Sequence, residues 1–116
     1  LSLHDALPIW FFGAFGAYYA YRLVSKYSNQ KIAGFAAGYA GTVLGSIGVA
    51  VILGIQPMFF VDGTGQALYF PLGLSVTLPA IAGSHALVFA PIEGIVTIGV
   101  LAAMSRIKNL SFGVAK

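Results

Sequence analysis

Glu93 and His85 are the two residues whose chemistry stands apart from their surroundings. Glu93 is the only acid inside an apolar run long enough to cross a bilayer, where inserting a charge costs roughly 3 kcal/mol. Such a group must face a cavity, pair with a base or carry a proton. It lies 13 residues before Arg106, about 20 Å along a continuous helix, and Thr97 follows one turn later on the same face. His85 precedes Glu93 by eight residues, which on a regular α-helix separates the two by about 80°. A neutral imidazole suits nickel and cobalt, and a histidine beside Ser84 equally suits the start of a helix. Between the two, Pro91 removes a backbone donor, which should kink the helix and free the Leu87 carbonyl. A metal site needs convergent ligands, and outside the first nine residues only Asp62 and, weakly, Met58 join this pair. That set makes no complete metal site. His85 and Glu93 are instead candidates for positioning ligands supplied from elsewhere. A phosphate loop, a nucleophile with an adjacent base and a paired-carboxylate arrangement are all missing from the sequence, so it reads as non-enzymatic.

The elements that must hold these residues follow from composition. Of 116 residues, 59% are apolar and 8% charged, against about a quarter charged in an average soluble domain. No water-facing surface can be made from that inventory. Charges are absent between Lys31 and Asp62, between Asp62 and Glu93, and between Glu93 and Arg106, as expected of bilayer spans. The reading is an all-α, polytopic membrane helix bundle of about three spans plus a short outer or re-entrant helix. A first run, Trp10 to Val24, covers about 22 Å, short of the roughly 30 Å hydrocarbon core, and a second, Ile32 to Ile55, covers about 36 Å. Gln56 to Phe70 carries Pro57, Asp62-Gly63 and Gly65 and reads as a loop. Leu72 to Met104 is too long for one ordinary span and too short for two. Basic residues favour the cytoplasmic side, so the Arg22 to Lys31 loop and the Arg106, Lys108 and Lys116 tail should both lie inside. One net return crossing satisfies this, at about Ser84 to Arg106, with Leu72 to Gly83 as the short outer piece that Pro79 and Gly83 interrupt. The net charge of +3 reads as membrane orientation rather than nucleic-acid binding. The absence of cysteine excludes disulfides and thiolate metal sites.

The second span carries Gly34, Gly38, Gly41, Gly45 and Gly48, at spacings of 4, 3, 4 and 3. This stripe of the smallest residue permits close backbone approach by a neighbouring helix, either within its own bundle or from a partner subunit. Residues 1–9 differ from the rest. They lack the basic start and apolar middle of a signal peptide and read as a non-native leader joined to a truncated frame, so His4 and Asp5 are set aside.

Residues 69–80, Tyr-Phe-Pro-Leu-Gly-Leu-Ser-Val-Thr-Leu-Pro-Ala, followed by His85-Ala86-Leu87, Glu93-Gly94 and Val96-Thr97, resemble the C-terminal region of the CbiM/NikM family. Gly16 to Arg22 and the glycine-rich span fit the family's preceding helices. The resemblance implies the substrate-specific component of an energy-coupling-factor importer for divalent cobalt or nickel. That component is a multi-pass cell-membrane protein with a cytoplasmic C-terminus. It works with a transmembrane coupling subunit and cytoplasmic ATPase subunits, and it has no covalently bound cofactor. The family's primary metal ligands come from an amino-terminal Met-His segment and a histidine of the first half, neither of which has a counterpart here. On this reading residues 10–109 are the C-terminal part of the transporter domain and 110–116 a cytoplasmic tail. A small structural or assembly subunit of a membrane complex is the competing reading, since glycine stripes and sparse charge would suit it too.

Overall fold

A computed structural model describes residues 3–108. Helix α1 spans Leu3–Ser25 and helix α2 spans Gln30–Phe59. A loop then leads to α3, Leu74–Thr77, which continues through two π-helical turns, π1 (Leu78–Ala82) and π2 (His85–Phe89), into α4, Ala90–Lys108. The sequence reading of an all-helical membrane bundle holds. The 110–116 tail lies outside the described residues.

Helix α2 starts where the Asn29 side chain accepts a hydrogen bond from the Ile32 amide at 3.0 Å, satisfying one of the donors that a helix start leaves open. It runs further than its apolar pattern suggests, because Pro57 falls in its last turn and the Phe60 amide still reaches the Gln56 carbonyl at 2.8 Å. The loop therefore begins at Phe60 rather than Gln56. Helix α1 likewise exceeds the expected 22 Å: its 23 residues give about 34 Å, the helical backbone continuing through residues 3–9.

The largest departure concerns the last crossing. Leu74–Ile107 forms one helical stretch of 34 residues, about 51 Å long and so about 20 Å more than a hydrocarbon core requires. The short outer piece is present as α3 and π1 but is continuous with the crossing helix. Gly83 and Ser84 keep right-handed helical backbone angles, with φ −64°, ψ −49° and φ −62°, ψ −39°. Ser84 is accordingly an interior residue and not a cap; its hydroxyl donates to the Ile81 carbonyl at 3.0 Å. Pro79 lies within the wider π1 turn, and Gly83 sits between π1 and π2 in ordinary helical conformation.

The three long elements pack as a sheet of helices with α2 in the middle. Phe12 lies against Gly48 and Ala17 against Gly41, so α1 runs antiparallel to α2. Leu101 lies against Gly34 and Glu93 against Gly38, so α4 is antiparallel to α2 as well. The buried seam is made of small residues: Ala33, Ala37, Ala50, Ala90, Ser46 and Thr77. Large apolar side chains point outward instead, among them Phe11, Leu23, Leu87 and Ile95. This inverts the pattern of a water-soluble core and fits helices that meet through small residues while presenting bulk to lipid. Thr77, 1% exposed, donates to the Ala50 carbonyl at 2.9 Å and occupies the space left by Gly54.

The loop after α2 is organised by Asp62. One carboxylate oxygen accepts from the Thr64 amide at 2.8 Å, the Thr64 hydroxyl at 2.7 Å and the Gln66 amide at 2.9 Å. Gly65, with φ +84°, supplies the left-handed residue of the turn, and a single antiparallel bridge joins Val61 to Ala67. The hydrogen bonds from Thr64, with those from the Gln66 and Thr64 amides, hold the Asp62 carboxyl below its ordinary value. A depressed acid contributes order above its unfolded pKa, and that order is lost as pH falls through the folded value. Acidification below the usual carboxylate range should therefore loosen this loop first. Asp62→Ala should reproduce the effect at neutral pH, with amide exchange at Thr64 and Gln66 accelerated several-fold and bundle melting unchanged.

Candidate functional site

Because α1 and α4 flank α2 without touching each other among the described residues, a groove runs between them with α2 as its floor. Its volume is about 610 Å³. Trp10, Gly13 and Ala14 form one wall, Gly41, Thr42, Gly45, Ser46 and Val49 the floor, and His85, Phe89 and Glu93 the other wall. His85 and Glu93 thus share one face, although a regular helix would separate them by about 80°.

The π2 turn explains this. The Ala90 amide donates to the His85 carbonyl, five residues back, so one residue is absorbed by the turn. The eight-residue spacing then behaves as seven, leaving the two side chains only about 20° apart. The next bond in that register would run from residue 91 to the Ala86 carbonyl, and residue 91 is proline. Tyr39 replaces it: its hydroxyl donates to the Ala86 carbonyl at 3.1 Å. The carbonyl that the sequence assigned to Leu87 is therefore Ala86, and the change of register is the reason. Tyr39→Phe should leave this half-buried oxygen without its cross-helix partner, destabilising the protein by about 1 to 3 kcal/mol. Thermal melting in detergent would read the loss, and an unchanged midpoint would show that water takes over the bond.

His85 is pinned. Its Nδ1 lies 2.7 Å from the Ile81 carbonyl and 3.5 Å from the Ser84 hydroxyl, and the ring packs on Phe89 with centroids 4.9 Å apart. A carbonyl can only accept, so the proton of this hydrogen bond sits on Nδ1. Glu93 is different: its carboxylate makes no hydrogen bond or ion pair with another described residue. The Thr97 hydroxyl, its neighbour on the same face, donates at 2.7 Å to the Glu93 backbone carbonyl instead. The floor hydroxyls are also committed, Thr42 to the Gly38 carbonyl at 3.0 Å and Ser46 to the Val43 carbonyl at 2.8 Å. The groove therefore presents one imidazole nitrogen and one carboxyl group that no other described residue engages.

Met58, at the end of α2, and Asp62, in the loop, do not line the groove. No group of three potential metal-ligating side chains exists among the described residues. The glycine stripe divides between neighbours. Gly34 and Gly38 face α4, Gly41 and Gly48 face α1, and Gly45 lies in the groove floor. The tightest backbone approach within the stripe is at Gly38, where a Cβ would lie 2.5 Å from the Thr97 hydroxyl and 2.6 Å from the Glu93 carbonyl oxygen. Gly94 makes the same kind of opening for the Phe35 ring, at 2.6 Å. Tyr39, Thr77, Gly54 and Gly94 escape sequence reasoning because each acts through a contact distant in the chain.

The family model described as "CbiM: Cobalt uptake substrate-specific transmembrane region" matches residues 6–110, a stretch containing every groove residue. The chain belongs to the CbiM family. This is a family of membrane transport components and not of enzymes. The chain is 43% identical over 70 residues to the fused nickel transport protein NikMN of Rhodobacter capsulatus, covering 60% of this chain and 20% of that protein. It is 31% identical over 93 residues to the probable fused nickel transport protein LarMN of Lactiplantibacillus plantarum, covering 80% and 28%. Among solved structures, the crystal structure of a transition metal transporter matches with a TM-score of 0.82 and 30% identity over 90% of this chain and 47% of the other. A truncated transition metal transporter matches with the same score, at 31% identity over 89% and 49%. The chain thus spans about half the length of these solved relatives and about a quarter of the curated ones.

Proposed function

We propose that residues 10–109 form the C-terminal part of the substrate-specific membrane subunit of an importer for divalent nickel or cobalt. The CbiM match across the whole groove carries this reading. The importer is of the energy-coupling-factor type, in which a transmembrane coupling subunit and cytoplasmic ATPases drive uptake. The metal is cargo. Its primary ligands come from the half of the fold outside this chain, and His85 and Glu93 hold that half in place. ATP-dependent nickel or cobalt accumulation in proteoliposomes should require the restored subunit together with its coupling and ATPase partners. Accumulation that is equal without the subunit would overturn the assignment.

The basic loop before α2 and the end of α4 are cytoplasmic in this reading. Both lie at one end of the bundle, since Gln30 and Lys31 share a small cleft with Leu101, Ala102 and Ser105. Single cysteines are easily read in a chain that has none. Impermeant labelling of intact cells should reach Gly63→Cys and spare Ser28→Cys and Ser111→Cys, the last lying beyond the described residues. External labelling at position 111 would sink the three-span topology.

A further inference from the structure

Two residues of the last helical stretch, Thr77 and Ala90, are buried to 1% and 0% exposure. They stand 13 residues apart. On a regular α-helix that spacing would put them about 140° apart, and they could not both face α2. Thr77 nonetheless donates to the Ala50 carbonyl of α2, and the turn after Ala90 meets α2 where Glu93 lies against Gly38. The two π turns between them account for the difference. Each takes in one extra residue, so the 13 positions rotate as about 11 and leave the pair about 20° apart. Residues 74–85 are in phase with α4 only while both turns persist.

The second turn has an alternative form. Pro91 has no amide hydrogen, so one carbonyl before it lacks a helical partner in either register. In the π form that carbonyl is Ala86, because the Ala90 amide is spent on His85. In the α form the Ala90 amide would return to Ala86, and Leu87 would be left over. Leu87 is 81% exposed, whereas the Ala86 carbonyl receives the Tyr39 hydroxyl at 3.1 Å. The Tyr39 ring is steadied by stacking on Phe35 at 6.2 Å between centroids, and Phe35 sits against Gly94.

We propose that Tyr39 is a register latch: by supplying the donor that the π form needs, it selects that form and fixes the rotation of residues 74–85 relative to α4. Rewinding to α would turn that segment by about 100°. Thr77 would leave the notch at Gly54, and His85 would leave the face it shares with Glu93. The latch belongs to the helix and is independent of what the groove binds.

The test removes the latch and the proline together in the full-length subunit. With Pro91→Ala, residue 91 can pair in either register, so with Tyr39→Phe nothing at this turn favours the π form over the commoner α form. Nitroxide labels stepped singly through positions 74–85 and 92–104 give oxygen-collision profiles whose helical phases can be compared. In the double variant the outer profile should move by about 100°, one residue, relative to the inner one. Pro91→Ala alone, which keeps Tyr39, should leave it in place. Removing Leu87 from the double variant should restore the original phase, since an α-helix one residue shorter supplies the same rotation. An unmoved phase in the double variant would assign the register to Thr77 alone, and a shift in Pro91→Ala alone would assign it to the proline. Either result overturns the latch. Should the double variant not fold, the shortened one decides: folding in the original phase supports the latch, and misfolding or a shifted phase overturns it.

Discussion

Gly38→Ala should destabilise the full-length subunit by about 1 to 3 kcal/mol, the cost of forcing one extra methyl group into a packed seam. The added Cβ would meet the Glu93 carbonyl oxygen at 2.6 Å and its carbon at 2.9 Å. These are backbone atoms and cannot rotate away. Helices α2 and α4 would have to separate, and the bond from Tyr39 to the Ala86 carbonyl would stretch with them. Metal uptake should fall with stability, since the same movement displaces Glu93. Gly63→Ala is the matched control: nothing lies within 4 Å of its added methyl, and both readouts should stay at wild-type levels. Differential scanning fluorimetry in detergent together with uptake assays would measure the pair. Equal tolerance of the two substitutions would mean that α2 and α4 do not pack as described.

Glu93 carries the second large effect. Its carboxyl group lines the groove and makes no hydrogen bond or ion pair with another described residue. Glu93→Gln preserves shape and most hydrogen bonding, and it should retain metal binding with at most a modest loss. Glu93→Leu should leave the partner unsatisfied, costing about 1 to 3 kcal/mol and weakening both folding and uptake. Direct coordination of the metal by Glu93 would give another pattern, in which Gln abolishes binding while the metal-free melting temperature is unchanged. Isothermal titration and melting curves of the two variants separate these accounts.

The helices themselves were legible in the sequence, because uncharged runs of that length have few other physical uses. The start of α2 and the last turns of α4 lie at one end of the bundle, as a single return crossing requires. What local reasoning missed were places where a distant contact overrides a breaker. Pro79 and Gly83 are strong local stop signals, yet the helix passes through both, Pro79 within π1 and Gly83 between the two π turns. Pro91 did signal a freed carbonyl. It could not reveal that Tyr39, 47 positions from Ala86, would satisfy it and hold the register that swings His85 into line with Glu93. The glycine stripe was visible as a periodicity, but periodicity names no partner. Its division between α1 and α4 required the fold. Gly54, six residues beyond the last glycine of the stripe, lay outside the pattern although it admits the buried Thr77 hydroxyl.

The metal-transport reading is tested most directly by exchange. The 93 aligned residues of this chain would replace the matching segment of the Lactiplantibacillus plantarum nickel transport relative, and radioactive nickel accumulation would be measured in cells containing equal amounts of the chimera and the parent. The account predicts accumulation within a few-fold of the parent, lost on Gly38→Leu in the transplanted segment. A chimera that reaches the membrane, melts like the parent and accumulates no nickel or cobalt above background would contradict it.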